Sequence, residues 1–206
     1  MTLRLYSWPQ SSASGARWAL EELGLSYDYV ELSNKKREHR SPEYLAINPN
    51  GKVPTLVDGA HAYFESLAIL LHLAERYGRD RGLWPSDEAL RADAFSWTAW
   101  GTAELRPYMM QYAYHGLDTP VSYAPKDRSQ AAAEYNAGEY RRVLDALESR
   151  LAGRDYVLGA FSLTDVPAAS ALLFGRAIGV TLEGRANVEG WLERCRTRPA
   201  RLKSGE

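Results

Sequence analysis

Residues 44–66, YLAINPNGKVPTLVDGAHAYFES, constrain the fold more than any other stretch of this chain. Pro54 fixes one backbone angle and removes one amide donor, and the cis form of the Val53-Pro54 bond costs far less than at a bond not followed by proline. A cis bond there is expected to turn the Val53 amide and carbonyl outward. Beyond it, Thr55 to Asp58 reads as a short strand, Asp58-Gly59 as a hairpin turn, and Ala62 to Phe64 as the returning strand. Glu65-Ser66 then opens the apolar helical run LAILLHLAERY, which Gly78 closes. The open amides of a helix start hold a carboxylate, and an adjacent acid holds an ammonium, so the segment reads as a site for an extended, peptide-like ligand.

The first 77 residues alternate strand and helix signals, whereas the rest reads as helix. Leu3 to Tyr6 predicts a strand, Ala13 to Leu23 a helix ending before a left-handed cap at Gly24, and Tyr27 to Leu32 a strand parallel to the first. A weakly helical polar segment, Arg37 to Ala46, leads to the hairpin, giving a four-stranded mixed sheet. The fold class is therefore α/β plus all-α: a first domain over 1–78, a Gly- and Pro-punctuated linker over 79–86 (GRDRGLWPS with Gly78), and a helical bundle over 87–206. Ser86, Asp87 and Glu88 form a helix start, Asp87 to about Tyr114 reads as helix, Gly116 to Asp127 as loop and Ser129 to Leu151 as helix, with at least two more beyond. Ser162-Leu163-Thr164-Asp165 has capping-box spacing, and its role is expected to be structural.

Composition narrows the function. Lys plus Arg number 25 against 26 Asp plus Glu, a net charge of -1 that offers no basic excess to nucleic acid. The longest apolar stretch, Leu67 to Leu73, contains His72 and is far short of the roughly 20 residues a membrane span requires. No signal peptide is recognisable near Arg4, so a cytoplasmic protein is the default. The single cysteine, Cys195, excludes an intramolecular disulfide and reads as a packed thiol, and the four histidines, His39, His61, His72 and His115, lack metal-ligand spacing.

Thiol chemistry is suggested by Pro9-Gln10-Ser11-Ser12-Ala13-Ser14, which sets three hydroxyls at a helix start. A thiol of pKa near 8.5 reacts at neutral pH only where a donor or a helix N-terminus favours its thiolate. By residue type alone, one of these serines is more simply an ordinary helix cap.

NPNGKVPTL followed by FES and an apolar helix is similar to the glutathione-binding half of cytosolic glutathione transferases. The resemblance extends upstream to LYSWPQSSASGARWALEELGL and downstream to FSLTDVPAAS, nearly the whole chain in the family's order. It points to bacterial serine-type or theta/nu-like members, with a thioredoxin-like first domain. It implies glutathione as co-substrate, a small hydrophobic electrophile as second substrate, a role in detoxification, and a homodimer with no nucleic-acid or membrane partner. The thiolate-stabilising residue would be Ser11, with Ser12 as the alternative. Ala13 stands near the position of the cysteine in cysteine-type classes, so mixed-disulfide chemistry is not expected; the Ser-Ser-Cys-Ser-Trp pattern of maleylacetoacetate isomerases is also missing.

Glutathione carries two carboxylates and an ammonium. Ser66 suits the γ-glutamyl carboxylate and Glu65 the ammonium, while the Val53 backbone would pair with the cysteinyl part through the Pro54 geometry. Lys52 and His39 are the candidate cations for the glycyl carboxylate, although such residues are more commonly just solvated at the surface. For the electrophile the choices are Trp8, Trp100, Tyr108 and Tyr112, although an aromatic stripe with Trp97 and Glu104 at helical spacing more often serves packing or a dimer interface. Two other readings stay open: a glutathione-dependent peroxidase or disulfide reductase on the same site, and a transferase-like binding module without catalysis.

Overall fold

The computed structural model describes residues 3–9, 11 and 14–205, and the chain divides into two compact units, Met1–Pro85 with Arg198–Glu206, and Ser86–Thr197. In the first unit, β1 (Leu3–Ser7) is followed by α1 (Ser14–Glu22), β2 (Tyr27–Glu31), α2 (Pro42–Leu45), β3 (Thr55–Asp58), β4 (His61–Phe64) and α3 (Ser66–Leu73). The sheet has four strands in the order β2-β1-β3-β4, with β1 and β2 parallel and the other pairs antiparallel, so the expected mixed sheet is present. Period-2 alternation on β1 points Leu3, Leu5 and Ser7 inward. Helix α1 buries Ala16, Trp18, Ala19 and Leu20 on one face. It ends as its sequence predicts: Gly24 has φ of 60°, its N–H donates to the Glu21 carbonyl, and Leu25 N–H donates to the Leu20 carbonyl. That is the paired closure glycine permits without Cβ strain.

The segment between β2 and β3 is polar yet shaped by hydrogen bonds. Ser33 N–H donates to the Glu38 carboxylate at 2.7 Å, and Glu38 N–H returns to the Ser33 carbonyl at 3.1 Å. This closes a loop into the single helical turn Glu38–Arg40, after which the Ser41 hydroxyl caps α2. Near the end of the first unit's main segment, Trp84 is 2% exposed and donates its indole N–H to Glu75 in the turn after α3.

The second unit contains α4 (Glu88–Trp100), α5 (Arg106–Gly116), α6 (Gln130–Leu151), α7 (Asp165–Ala177) and α8 (Ala186–Arg196), with α9 (Pro199–Lys203) following in the C-terminal segment of the first unit. Asp87 caps α4 and Ser129 caps α6, each accepting a backbone N–H from three residues on. The helix expected from Asp87 to Tyr114 is interrupted by a wider π turn over Gly101–Leu105, where Arg106 N–H reaches the Gly101 carbonyl. Pro107 lies one residue further on; it has no N–H for the Ala103 carbonyl, and the wider turn takes up the mismatch. The core of this unit is Met109, Tyr140, Val143, Leu147, Val166, Leu172, Trp191 and the packed thiol of Cys195.

The sequence extends the helical domain to the C-terminus, whereas residues 198–205 pack with the first unit. Arg198 makes two hydrogen bonds to the Glu22 carboxylate at 2.6 and 2.7 Å, Lys203 pairs with Glu21, and Arg201 lies over the Trp18 ring. The Arg198–Glu22 pairing alone spans 176 positions, and none of the three leaves a local pattern. Among the described residues, no helix is long and apolar enough to cross a membrane, and no cluster of His, Cys, Asp and Glu could hold a metal ion.

Candidate functional site

Strand register gathers the candidate residues of the first unit. Ser7 pairs with Glu31, Tyr6 with Thr55, and Thr55 with Phe64, so the C-terminal ends of β1, β2 and β4 and the N-terminal end of β3 lie at one end of the sheet. Four segments leave from that end: the serine-rich turn after Ser7, the loop carrying His39 after Glu31, Lys52-Val53-Pro54 before Thr55, and Glu65-Ser66 after Phe64.

In the turn, Ser11 is half-buried, and its hydroxyl lies 2.8 Å from that of Ser7. Ser12 lies outside the described residues. Trp8 is half-buried with its ring 5.3 Å from the His39 ring, so these two residues meet. The His39 Nδ1 atom is buried without a hydrogen-bond partner among the described residues. Trp8 and Pro9 also line a shallow groove of about 620 Å³ with Leu32, Asn34 and Lys35.

The Val53-Pro54 bond is cis. A polar cluster sits beneath it. Asn48 Nδ2 donates to the Lys52 carbonyl at 2.8 Å and to Thr55 Oγ1 at 2.9 Å, the Tyr44 hydroxyl donates to the same carbonyl at 2.6 Å, and the Thr55 hydroxyl completes the circuit to Tyr44 at 2.7 Å. Tyr44, Asn48 and Thr55 are 4%, 1% and 0% exposed, so the residues on either side of Val53-Pro54 are clamped by groups that water does not reach. Burial, opposed by the Thr55 and Asn48 hydrogen bonds, raises the Tyr44 phenol, which stays a neutral donor. Gly51 has φ of 54°, and a Cβ there would come within 2.9 Å of the His39 carbonyl and the Arg40 guanidinium. Lys52 keeps an exposed side chain and Pro54 is buried.

Glu65 is exposed at φ of 69°, a conformation unusual for any residue but glycine, and Ser66 begins α3. A second cluster holds the far end of α3 and the turn after it against the hairpin. Asp58 Oδ2 accepts from the Tyr77 hydroxyl at 2.7 Å and contacts His72 Nε2 at 2.8 Å, with the Arg76 guanidinium 3.4 Å away, and the His72 ring stacks on Tyr63 at 3.8 Å. Burial alone would push the Asp58 carboxyl up; hydrogen bonds from Tyr77 and His72, with the charges of His72 and Arg76, hold it below its ordinary value instead. Tyr44, Asn48, Thr55, Asp58, His72 and Tyr77 are residues that sequence reasoning did not single out, and neither was Ser7. Only the Asn-Pro-Asn-Gly turn around Asn48 offered a local signal.

In the second unit the aromatic stripe separates. Trp100 packs edge-on against Trp97 at 5.0 Å, Tyr108 meets Tyr135 at 6.5 Å and lies under the Arg142 guanidinium, and Tyr112 stacks on the buried Tyr140 at 6.1 Å. Arg142 in turn pairs with Glu104 and Glu139, each within 2.9 Å. All three rings are half-buried. Asp165, the first residue of α7, is fully buried and accepts from Val157 N–H, Ser162 N–H and the Trp191 indole, a structural hub as its capping spacing suggests.

This arrangement offers a half-buried hydroxyl, a backbone edge beside a cis proline, and a helix start flanked by an acid. The family profile described as "Glutathione S-transferase, N-terminal domain" matches residues 1–75, and "Glutathione S-transferase, C-terminal domain" matches 104–199. Glutathione S-transferase 4 of Zea mays is 31% identical over 206 residues, covering 98% of this chain and 91% of the maize protein. A theta class glutathione S-transferase from the citrus canker pathogen Xanthomonas axonopodis pv. citri, solved with glutathione bound, superposes with a TM-score of 0.84 at 27% identity, covering 98% of this chain and 96% of that one. The nitrogen regulation fragment of the yeast prion protein Ure2p superposes with a TM-score of 0.86 at 26% identity, covering 98% and 95%. By both halves of its sequence, this chain belongs to the glutathione S-transferase family.

Proposed function

We propose that this protein binds reduced glutathione and activates its thiolate for attack on an apolar electrophile. The observation that carries the reading is the register that brings the Ser11 turn, Val53-Pro54 and Glu65-Ser66 to one end of the sheet. Ser66 and the first amides of α3 receive the γ-glutamyl carboxylate, Glu65 meets the ammonium, and the Val53 backbone pairs with the cysteinyl unit. Lys52 and His39 serve the glycyl carboxylate. The Ser11 hydroxyl donates to the sulfur, lowering the thiol pKa as the proton leaves to solvent; Ser12 is the alternative donor. The sulfur lone pair then forms the carbon–sulfur bond, and the leaving group departs with the pair of the bond that breaks. Trp8, Trp100, Tyr108 and Tyr112 are proposed for the electrophile, the action is assigned to the cytoplasm, and the working form to a homodimer.

The test is the ultraviolet absorbance of the glutathione thiolate on the protein, titrated against pH, beside a conjugation assay. A bound pKa well below that of free glutathione is expected, with loss of activity in Ser11→Ala; full activity in both Ser11→Ala and Ser12→Ala would sink the reading. The likeness to a nitrogen regulation fragment favours one competitor, a module that binds without catalysis. That reading predicts glutathione binding with an unshifted thiol. Turnover of a hydroperoxide or of glutathione disulfide, in preference to conjugation, would assign the same site to reduction.

A further inference from the structure

Ser7 breaks the apolar stripe of β1. Leu3, Leu5 and Ser7 share the inward face, and Ser7 is 0% exposed, a position where an unbonded hydroxyl is costly. Its backbone is held in the sheet by Leu32 N–H, which donates to its carbonyl at 2.8 Å. Among the described residues its hydroxyl neighbours the Ser11 hydroxyl at 2.8 Å and the Trp8 carbonyl at 3.3 Å. A hydroxyl has one proton to give, so these acceptors compete. In one arrangement Ser7 donates to Trp8 and Ser11 donates to Ser7. In the other Ser7 donates to Ser11, and the Ser11 proton is directed elsewhere. The Ser7–Ser11 separation is at the usual O–H···O distance, whereas 3.3 Å to Trp8 is long.

We infer that Ser7 is a positioning residue for the proposed reaction: on arrival of a glutathione thiolate its proton turns from the Trp8 carbonyl to Ser11 Oγ, orienting Ser11 and strengthening it as a donor to sulfur. This rests on the reading that Ser11 stabilises the thiolate. The thiolate is a far better acceptor than a neighbouring hydroxyl, so its charge favours the arrangement in which Ser11 donates outward, and a donor behind Ser11 polarises it further. No proton changes owner between the serines; both hydroxyls rotate. Being buried on a strand, Ser7 holds its oxygen in place behind Ser11.

The experiment is a cycle of wild type, Ser7→Ala, Ser11→Ala and the double variant, reading the pKa of bound glutathione by thiolate absorbance, its Kd by calorimetry, and kcat against pH. Ser7→Ala is expected to raise the bound thiol by roughly 0.5 to 1 unit, the equivalent of one hydrogen bond. Its Kd should stay within about twofold at a pH below both thiol pKa values, where glutathione binds as the neutral thiol, and its kcat should rejoin wild type at high pH, where the thiol ionises unaided. In the Ser11→Ala background, removing Ser7 should change nothing further. Ser7→Thr, which keeps the hydroxyl on a residue suited to a strand, should restore the wild-type pKa. If wild type and Ser11→Ala differ but Ser7→Ala matches wild type, the inference about Ser7 is overturned and the role of Ser11 stands. An additive double variant also overturns it, because Ser7 would then act independently. If Ser11→Ala leaves the bound thiol unshifted from wild type, the reading of Ser11 fails and the inference about Ser7 with it.

Discussion

Asp58 illustrates how a single residue does its work through partners the sequence does not announce. Its carboxylate gathers Tyr77, His72 and Arg76, and so ties the hairpin to the helix that Ser66 begins. Its folded-state pKa is depressed, so the stability it contributes is complete above the unfolded value of about 3.9 and is lost as pH falls through the folded value. The wild type should therefore lose stability on acidification below about pH 4 more steeply than Asp58→Asn, whose side chain does not titrate. At neutral pH that variant should be less stable by about 1–3 kcal/mol. Urea unfolding of both proteins at neutral and acid pH checks this, and parallel curves would refute it. Ser11 is the opposite case: its place in a serine-rich turn is readable, and Ser11→Ala should lower kcat/KM near neutral pH by about 10- to 100-fold, measured by conjugation kinetics. The residue behind it, Ser7, was not singled out because a serine ending a strand has no pattern of its own.

Elements were legible where their signals are local. The Gly24 closure of α1, the Asp87 and Ser129 caps, and the hairpin around Gly59 follow from side chains within three or four positions. The π turn at Gly101–Leu105 was not legible, since the helical period continues across it and only Pro107 hints at the mismatch. The loop ahead of β3 depends on Tyr44, whose hydroxyl links the Lys52 carbonyl to Thr55. Tyr44→Phe should leave two buried groups short of a partner, costing about 1–3 kcal/mol and weakening glutathione binding through displacement of Val53. Thermal unfolding and calorimetric titration measure the two effects; an unchanged Kd would detach this clamp from the site. At the start of α7, Asp165→Asn would turn a donor amide toward Ser162 N–H or lose its other partners. It should lower Tm by several degrees while leaving the thiol pKa of bound glutathione unchanged in protein that remains folded.

For the whole molecule, the proposed dimer has its argument in α4. Leu90 and Phe95, 39% and 40% exposed, are among the large apolar side chains that the chain leaves facing solvent. Phe95→Glu is expected to convert a dimer to a monomer by light scattering, with the circular dichroism of the fold retained; a wild type that runs as a monomer would remove the proposal. The four-stranded mixed sheet, the helical character of the second half and the cis-prone Val53-Pro54 step were determined by the sequence itself, because turn chemistry, caps and hydrophobic period act over a few residues. Tertiary structure alone decided the rest. Arg198 on Glu22, His72 and Tyr77 on Asp58, and Ser7 behind Ser11 join side chains whose meeting depends on how strands register and helices pack. The same holds for the second unit, where one helical stripe splits among three sets of partners, since periodicity names the face of a helix but only packing names what that face meets.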